Sequence, residues 1–293
     1  MGKFLNYNGT LLAETDFKLT TSNRAFRYGD GLFESMKYSD GIVYFYEDHY
    51  FRLMGSLCML RVDIPSKLNM EYLYEQIIET IAKNDLRGQA CKVRLHMFRT
   101  GSGLYTPQEL SVDYLIEVEA EQASGYVFNE AGLTSDLYFD HKKAKAILSS
   151  IKSDNALIYV LASIFAKEND LDQVFLMNTD QEIIETQNAN LLIFKGKEVF
   201  SPNPEQGALD GIIRKQMLKL VEQEGFTLAQ KPLRAYEVNT ADQVLVCNSS
   251  FGVQYIAQFR KKHFDANQVS CLNDTTFFNN KSLRGTSFHW DFG

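Results

Sequence analysis

The segment Leu148-Ser-Ser-Ile-Lys152-Ser-Asp-Asn155 decides how the rest of this chain is interpreted. Its lysine closes an apolar stretch and opens a predicted helix, where partial burial favours the uncharged amine that forms Schiff bases. A second segment, Glu185-Thr-Gln-Asn-Ala-Asn190, places a carboxylate at the end of a predicted strand. A carboxylate there can hold the proton of a pyridinium ring in a bound ligand. Taken singly, a solvated lysine and an ordinary carboxylate are the simpler interpretations, and Glu182 is an equal alternative to Glu185.

Three further segments contain groups that bind phosphate. Arg52, in His49-Tyr-Phe-Arg52-Leu53, offers the planar fork that matches an oxyanion, although a surface arginine is the simpler interpretation. The run Gly211-Ile-Ile-Arg214 predicts a helix N-terminus with free N–H groups. The run Asn248-Ser-Ser-Phe-Gly252 follows an apolar strand and adds hydroxyl donors, or is a plain turn.

Composition limits the classes of partner. The net charge is -7 and the pI is about 5.4, which argues against a nucleic-acid or anionic-membrane surface. The amino terminus lacks the apolar core of a signal peptide, and no apolar run reaches membrane-spanning length. The cysteines have no metal-ligand spacing, so we expect no metal site and buried, reduced thiols in a cytoplasmic protein. The four cysteines are Cys58, Cys91, Cys247 and Cys271.

The order of predicted elements indicates an α+β fold without a regular βαβ repeat. Ser39-Asp40-Gly41 predicts a hairpin turn between two strands, and helices are predicted over 47–60 and from Gly211 to Glu224. We also predict a strand that ends near Lys152. The small polar stretch 119–125 is the candidate boundary. We therefore predict a small α/β domain over 1–120, a large domain over 126–270 and a tail of unknown role over 271–293.

In this order and at these separations, the motifs resemble those of the class IV aminotransferase family, the pyridoxal phosphate enzymes of fold type IV. The family contains branched-chain aminotransferases, D-amino acid aminotransferases and aminodeoxychorismate lyases. The resemblance covers about residues 23–264. It rests on Tyr28-Gly-Asp-Gly, His49-x-x-Arg52-Leu, Lys152, Glu185-x4-Asn190 and Leu209-x-Gly-Ile-x-Arg214.

The resemblance implies a two-domain fold like that of D-amino acid aminotransferase, pyridoxal 5'-phosphate as cofactor and a homodimer that acts on a small-molecule substrate. It implies that Lys152 forms the Schiff base and that Glu185 holds the pyridine nitrogen. We expect the cofactor-binding residues to be Arg52, Lys152, Glu185, Asn190, Leu209, Ile212, Ile213 and Ser249. We expect the substrate-binding residues to be Tyr28, Lys37, Arg94, Arg99 and Ser250.

The residues that distinguish lyases from aminotransferases within the family disagree with one another in this chain. Gly-Ile-Ile-Arg214 in place of Gly-Ile-Thr-Arg, and the hydroxyl of Ser35, are similar to the lyases. Arg94 and Lys37 match positions of the aminotransferases, whereas Ala156 departs from the tyrosine of branched-chain enzymes. We interpret the chain as a 4-amino-4-deoxychorismate lyase in which Ser35 is a second catalytic group. The alternative is an amino-acid transaminase that acts on branched-chain or D-amino acids with 2-oxoglutarate. A non-catalytic relative of the fold is a third hypothesis.

Overall fold

The computed structural model describes residues 3–229 and 231–264, which form two compact units. The first unit comprises residues 3–125 and 152–155, and the second comprises 126–151 and 156–264. Both units combine helices with sheets, and the α+β prediction is confirmed. The predicted tail over 271–293 lies outside the described residues. Within the described residues, none of the helices is both long and apolar enough to span a membrane.

The first unit is built on a six-stranded sheet in which every neighbouring pair is antiparallel. Its strands are β1 (Phe4–Tyr7), β2 (Thr10–Ala13), β3 (Gly31–Ser39), β4 (Ile42–Val43), β5 (Cys91–Arg99) and β6 (Val112–Ala120). Its helices are α1 (Arg24–Tyr28), α2 (Tyr46–Met59) and α3 (Met70–Lys83). The strand order is β2-β1-β6-β5-β3-β4, so β3 and β5 are neighbours inside the sheet.

The predicted hairpin joins β3 to β4. Asp40 and Gly41 both have positive φ angles, 54° and 83°, as the tight turns that match the twist of hairpin strands require. The second strand, β4, is only two residues long, because Phe45 takes a φ of 54° and α2 begins at Tyr46. The hairpin prediction is confirmed.

The two faces of this sheet differ in burial. Leu32, Glu34 and Met36 of β3 are buried, and α2 contacts this strand. Because successive residues of a strand point to opposite faces, Phe33 and Ser35 lie on the other face, where both are only half-buried. We call these the helix-covered face and the open face of the sheet.

The second unit contains a mixed sheet of nine strands. They are β7 (Leu133–Leu137), β8 (Gln173–Met177), β9 (Ile183–Thr186), β10 (Asn190–Lys195), β11 (Glu198–Phe200), β12 (Thr227–Ala229), β13 (Gln243–Asn248), β14 (Gly252–Phe259) and β15 (Lys262–His263). The order is β12-β11-β10-β13-β14-β7-β8-β9, with β15 paired to β14. The helices are α4 (Ile147–Ser150), α5 (Leu157–Glu168), α6 (Ile212–Gln223) and α7 (Ala235–Asn239). Apolar side chains of β8, β10, β13 and β14 form its largest described core cluster.

Two expectations from the sequence are wrong. The residues before Lys152 form the short helix α4, not a strand, and α5 begins only at Leu157. Cys58 is exposed, whereas Cys91 and Cys247 are the buried free thiols. Cys271 lies outside the described residues.

Candidate active site

The Lys152 segment belongs to the first unit, where it adds to the edge of β3 as a short antiparallel bridge. The N–H of Phe33 donates to the carbonyl of Lys152 at 3.0 Å, and the N–H of Asp154 donates to the carbonyl of Gly31 at 3.0 Å. A side-chain pair adds to these bonds, with His96 Nε2 2.7 Å from Asp154 Oδ2. A Cβ at Gly31 would lie 2.3 Å from that Asp154 oxygen, so only glycine permits this approach. The backbone on both sides of Lys152 is therefore tied to the sheet.

The open face of the sheet carries Lys152 and Arg94 beside the same aromatic ring. The Lys152 Nζ lies 4.4 Å from the ring centroid of Phe33, and the Arg94 guanidinium carbon lies 3.9 Å from it. Ser35 is the direct cross-strand partner of Arg94 and faces the same side. Arg94 makes no ion pair with any residue of 3–229 or 231–264. A half-buried cation without a counter-charge is suited to a carboxylate of a ligand.

Arg99, unlike Arg94, has a carboxylate partner within the protein. It is buried, and its Nε donates to Asp30 Oδ2 at 3.0 Å while its Nη2 donates to the carbonyl of Leu60 at 2.7 Å. Its Nη1 donates to the carbonyl of Arg61 at 3.4 Å. All three nitrogens of the guanidinium thus have protein acceptors, and this arrangement favours a structural role over substrate binding.

The other two expected substrate residues of this unit also have protein partners. Lys37 is buried on the open face and donates to Glu121 Oε2 at 2.7 Å. Tyr28 ends α1, and its hydroxyl lies 3.5 Å from the carbonyl of Gly103, at the limit of a hydrogen bond. Arg24 lies over the Tyr28 ring at 5.1 Å. Their roles toward a substrate stay predictions.

The side chain of Arg52 is only 7% exposed and forms an ion pair, so the interpretation as a surface arginine is wrong. Its Nε donates to Glu34 Oε1 at 2.7 Å and its Nη2 donates to Glu34 Oε2 at 2.5 Å. The same carboxylate accepts from His49 Nδ1 at 2.6 Å. Burial lowers the pKa of His49, whose Nε2 is buried without a hydrogen-bond partner among the described residues. This cluster joins α2 to the helix-covered face of β3, and phosphate binding by Arg52 stays a prediction.

The Glu34 cluster predicts a loss of stability in acid. Burial disfavours the ionised carboxylate, but the charge of Arg52 and the hydrogen bonds outweigh it and lower the pKa of Glu34 from 4.5 to about 2. Its contribution is complete above pH 4.5 and is lost as the pH falls toward 2. Between pH 7 and pH 3, the difference in free energy of unfolding between wild type and Glu34→Gln should shrink by about 2 kcal/mol. Urea titrations at both pH values measure it; parallel losses in the two proteins would contradict this account.

In the second unit, Glu185 is the centre of a buried polar cluster. Its Oε1 accepts from Lys143 Nζ at 2.5 Å and from the Tyr159 hydroxyl at 2.8 Å. Its Oε2 accepts from the N–H of Leu209 at 2.7 Å. Glu182, the alternative carboxylate, instead accepts from Asn178 Nδ2 at 2.6 Å within the turn before β9. The sequence did not indicate Lys143 or Tyr159, and no motif marks either of them.

The segment before α6 connects Glu185 to the helix N-terminus. The carbonyl of Leu209 accepts from Asn190 Nδ2 at 2.9 Å, so the main chain of Leu209 contacts both polar side chains. A Cβ at Gly211, the N-cap of α6, would lie 1.8 Å from Asn190 Oδ1. Only glycine fits there, and no side chain of residues 3–229 or 231–264 caps the helix.

The first N–H groups of α6 are therefore available to an anion. Ile212 and Ile213 are buried, and the first turn contains no acidic residue. A helix N-terminus of this kind favours a phosphate through its N–H groups and its dipole.

Ser249 and Ser250 lie in the turn after β13. Asn248 shapes this turn, because its Oδ1 accepts from the N–H groups of Ser250 at 2.8 Å and Phe251 at 2.9 Å. Neither serine hydroxyl has a hydrogen-bond partner within the described part of the chain. Both hydroxyls thus remain candidates for ligand contacts.

The chain is similar to several known proteins. The family model for amino-transferase class IV matches residues 31–259. The chain is 28% identical over 245 residues to a Methanocaldococcus jannaschii protein provisionally named a branched-chain-amino-acid aminotransferase, covering 83% of each chain. It is 23% identical over 233 residues to the aminodeoxychorismate lyase of Vibrio harveyi, covering 79% of this chain and 83% of that one.

Among solved structures, the branched-chain aminotransferase of Thermoproteus uzoniensis with norvaline superimposes with a TM-score of 0.82. The identity is 19%, and the match covers 91% of this chain and 90% of that chain. The expected fold is confirmed by this similarity.

Proposed function

Because this chain belongs to the amino-transferase class IV family, we propose that it is a pyridoxal 5'-phosphate-dependent transaminase of branched-chain amino acids that uses 2-oxoglutarate. The names of the relatives support transamination better than the lyase reaction that the sequence favoured. The lyase interpretation is therefore not confirmed, and it becomes the second candidate.

The grouping around Phe33 is the observation that carries the proposal. Lys152, the amine expected to react, and Arg94, a cation without a described ion-pair partner, contact the same ring. An amino acid and its 2-oxo acid both carry a carboxylate next to the carbon that reacts. A lysine with a nearby arginine therefore matches the two functional groups that every transaminase substrate presents.

The residues of the second unit fit the cofactor in two respects. The uncapped N-terminus of α6, which admits only glycine at Gly211, suits the phosphate. A carboxylate has about four lone-pair sites, and three donors occupy Glu185, which leaves one for the ring N–H. When bound, pyridoxal phosphate supplies an aldehyde for attachment and a ring that accepts electrons. Arg52 and Ser249 stay predicted phosphate ligands.

Each residue then has a defined task. Lys152 holds the cofactor covalently and, once released, moves a proton at the substrate Cα. Glu185 keeps the ring nitrogen protonated. Arg94 orients the substrate through its carboxylate, and Ser250 and Lys37 are proposed as further contacts.

The second candidate is elimination of pyruvate from 4-amino-4-deoxychorismate. One observation favours it: the hydroxyl-bearing Ser35 lies on the open face directly across from Arg94. In that reaction Ser35 would donate the proton that the leaving group requires.

Three separate assays with different substrates test the proposal. The purified protein with added cofactor receives leucine or valine with 2-oxoglutarate, D-alanine with 2-oxoglutarate, or aminodeoxychorismate alone. We expect steady formation of the branched 2-oxo acid and of glutamate. Release of p-aminobenzoate without transamination would establish the lyase instead, and turnover of D-alanine alone would overturn the choice of substrate.

Arg94→Ala should raise the KM for 2-oxoglutarate about ten- to hundredfold and change kcat much less, because one charge-assisted contact is lost. Arg99→Ala should mainly lower the free energy of unfolding, since it removes one of the two arginine partners of Asp30 and leaves only Arg24. Arg87→Ala removes an exposed arginine and is the matched control. Steady-state kinetics measure these effects; an unchanged KM in Arg94→Ala would remove it from the site.

We also propose that the protein is a homodimer in the cytoplasm. The second unit exposes large apolar side chains on α5 and on α4, and such surfaces on soluble proteins mark interfaces. They are Ile147, Leu148, Leu157, Val160, Leu161 and Ile164, between 42% and 76% exposed. Light scattering should give twice the chain mass of 33.5 kDa, and Leu157→Lys with Ile164→Lys should give the single mass. Tyr236→Lys, at an exposed aromatic on α7, should leave the dimer intact. A monomeric wild type would contradict this proposal.

A further inference from the structure

We propose that Lys143 and Tyr159 are positioning residues that hold the Glu185 carboxylate in one orientation and so set the charge at the ring-nitrogen end of the cofactor. The effect on the cofactor rests on the proposed function. The cluster itself is a property of the second unit. It goes beyond the family motifs, since neither residue belongs to any segment that carries the resemblance.

The cluster is a closed triangle of short hydrogen bonds. Lys143 Nζ donates both to Glu185 Oε1 and to the Tyr159 oxygen, each at 2.5 Å, and the Tyr159 hydroxyl donates to Glu185 Oε1 at 2.8 Å. The main-chain N–H of Leu209 holds the other oxygen of the carboxylate at 2.7 Å. Rotation of the Glu185 carboxylate would break three bonds, so its orientation is fixed.

Four separate segments converge on this carboxylate. Lys143 follows β7, and its N–H donates to the carbonyl of Met177 at 2.9 Å, which aligns it with the end of β8. Tyr159 lies in the first turn of α5, Glu185 in β9 and Leu209 before α6. The arrangement is therefore a property of the folded unit and not of a local sequence motif.

Tyr159 takes part in this cluster as an uncharged group. Burial raises the pKa of Tyr159 well above its ordinary value, and the negative charge of Glu185 adds to this effect. Tyr159 is therefore a neutral hydrogen-bond donor beside the ion pair of Lys143 and Glu185. Two other lysines near this cluster have carboxylate partners of their own. These are Lys145 with Asp180 and Glu182, and Lys215 with Asp210.

A buried ion pair is poorly explained by stability alone. Removing two charges from water costs several kcal/mol per ion, and a well-packed apolar pair is often at least as stable. Lys143 and Glu185 are 7% and 2% exposed. A role in presenting the last lone pair of Glu185 to the ring N–H accounts for keeping both charges.

The same geometry assigns different tasks to two lysines. Lys143 bonds to the carboxylate expected to bind the ring nitrogen, and the ring nitrogen lies opposite the carbon that carries the aldehyde. Lys143 is therefore a charge partner and not the lysine that attaches the cofactor.

The test compares Lys143→Met, Lys143→Arg and Tyr159→Phe, with Lys142→Met as the matched control because Lys142 is the exposed neighbour. The pH profile of kcat/KM and the pH titration of the bound cofactor's absorption are the first readouts. Lys143→Met loses the ammonium group. The midpoint of the absorption titration should then move upward by about one pH unit or more, since a nearby positive charge disfavours protonation of the cofactor. Lys143→Arg should restore the midpoint, Tyr159→Phe should shift it less, and Lys142→Met should leave it unchanged.

The cofactor-free protein gives an independent readout. In Lys143→Met the Glu185 carboxylate is buried without its counter-charge, so folding takes up a proton and the free energy of unfolding falls as the pH rises from 5 to 8. Lys143→Met with Glu185→Gln should lose this slope. An unchanged slope and an unchanged midpoint in Lys143→Met would overturn the inference. Absence of transamination in wild type would refute the proposed function alone, because the cofactor-free readout does not depend on it.

Discussion

Replacing Lys152 with alanine should lower the rate of transamination by on the order of 10³- to 10⁴-fold, because the variant loses the group that moves the Cα proton. It also loses covalent attachment of the cofactor, so the absorption band of the bound form should disappear. Lys142→Ala, at an exposed lysine of the second unit, should keep both the rate and the band.

The Lys152 variant should remain folded. The hydrogen bonds that tie its segment to β3 come from the main chain and from Asp154, and these groups are unchanged by the substitution. Circular dichroism and urea unfolding check this point. Retention of more than a tenth of the wild-type rate in a folded Lys152→Ala protein would exclude Lys152 as the proton carrier.

Glu185→Gln should retain the cofactor but turn over about 10²- to 10³-fold more slowly, because a neutral amide cannot stabilise the charge on the ring nitrogen. The amide also leaves the buried Lys143 without its carboxylate, so we expect a lower free energy of unfolding. Glu182→Gln is the matched control, since Glu182 is also buried, lies three residues before Glu185 and contacts Asn178 instead. Single-turnover kinetics separate chemistry from binding. Similar rates in the two variants would show that Glu185 has no special role.

Helices and turns were predictable where the local sequence pattern is compatible with only one structure. The helix after Gly211 begins at Ile212 and ends at Gln223, because the glycine, the apolar periodicity and the helix length agree. The hairpin at Asp40-Gly41 was predictable for the same reason. The chain near Lys152 was not, because Ile147 and Leu148 resemble a strand in sequence, yet they form the exposed helix α4.

Strand alternation explains the difference between the two arginines on β5. The strand extends through Arg99, so Arg94 and Arg99 are five residues apart and point to opposite faces. Arg94 lies on the open face, and Arg99 is held by Asp30. The period of two predicts this difference for any two residues that lie five positions apart on one strand.

The residues around Glu185 could not be found from the sequence. Lys143 is one of three lysines in Lys142-Lys-Ala-Lys145, and only the fold buries it. Tyr159 stands in an apolar helix where an aromatic residue normally contributes to the core. Four segments separated along the chain meet at one carboxylate, and such a meeting leaves no local signal.

The position of the covalent cofactor tests the central claim most directly. The purified protein is loaded with pyridoxal phosphate, reduced with borohydride and digested, and the modified peptide is sequenced by mass spectrometry. We expect the phosphopyridoxyl group on Lys152, within Leu148-Ser-Ser-Ile-Lys152, and an unmodified Lys143. A stable adduct on Lys143, on any other lysine or on none would contradict the assignment of Lys152 and, with it, the proposed transaminase.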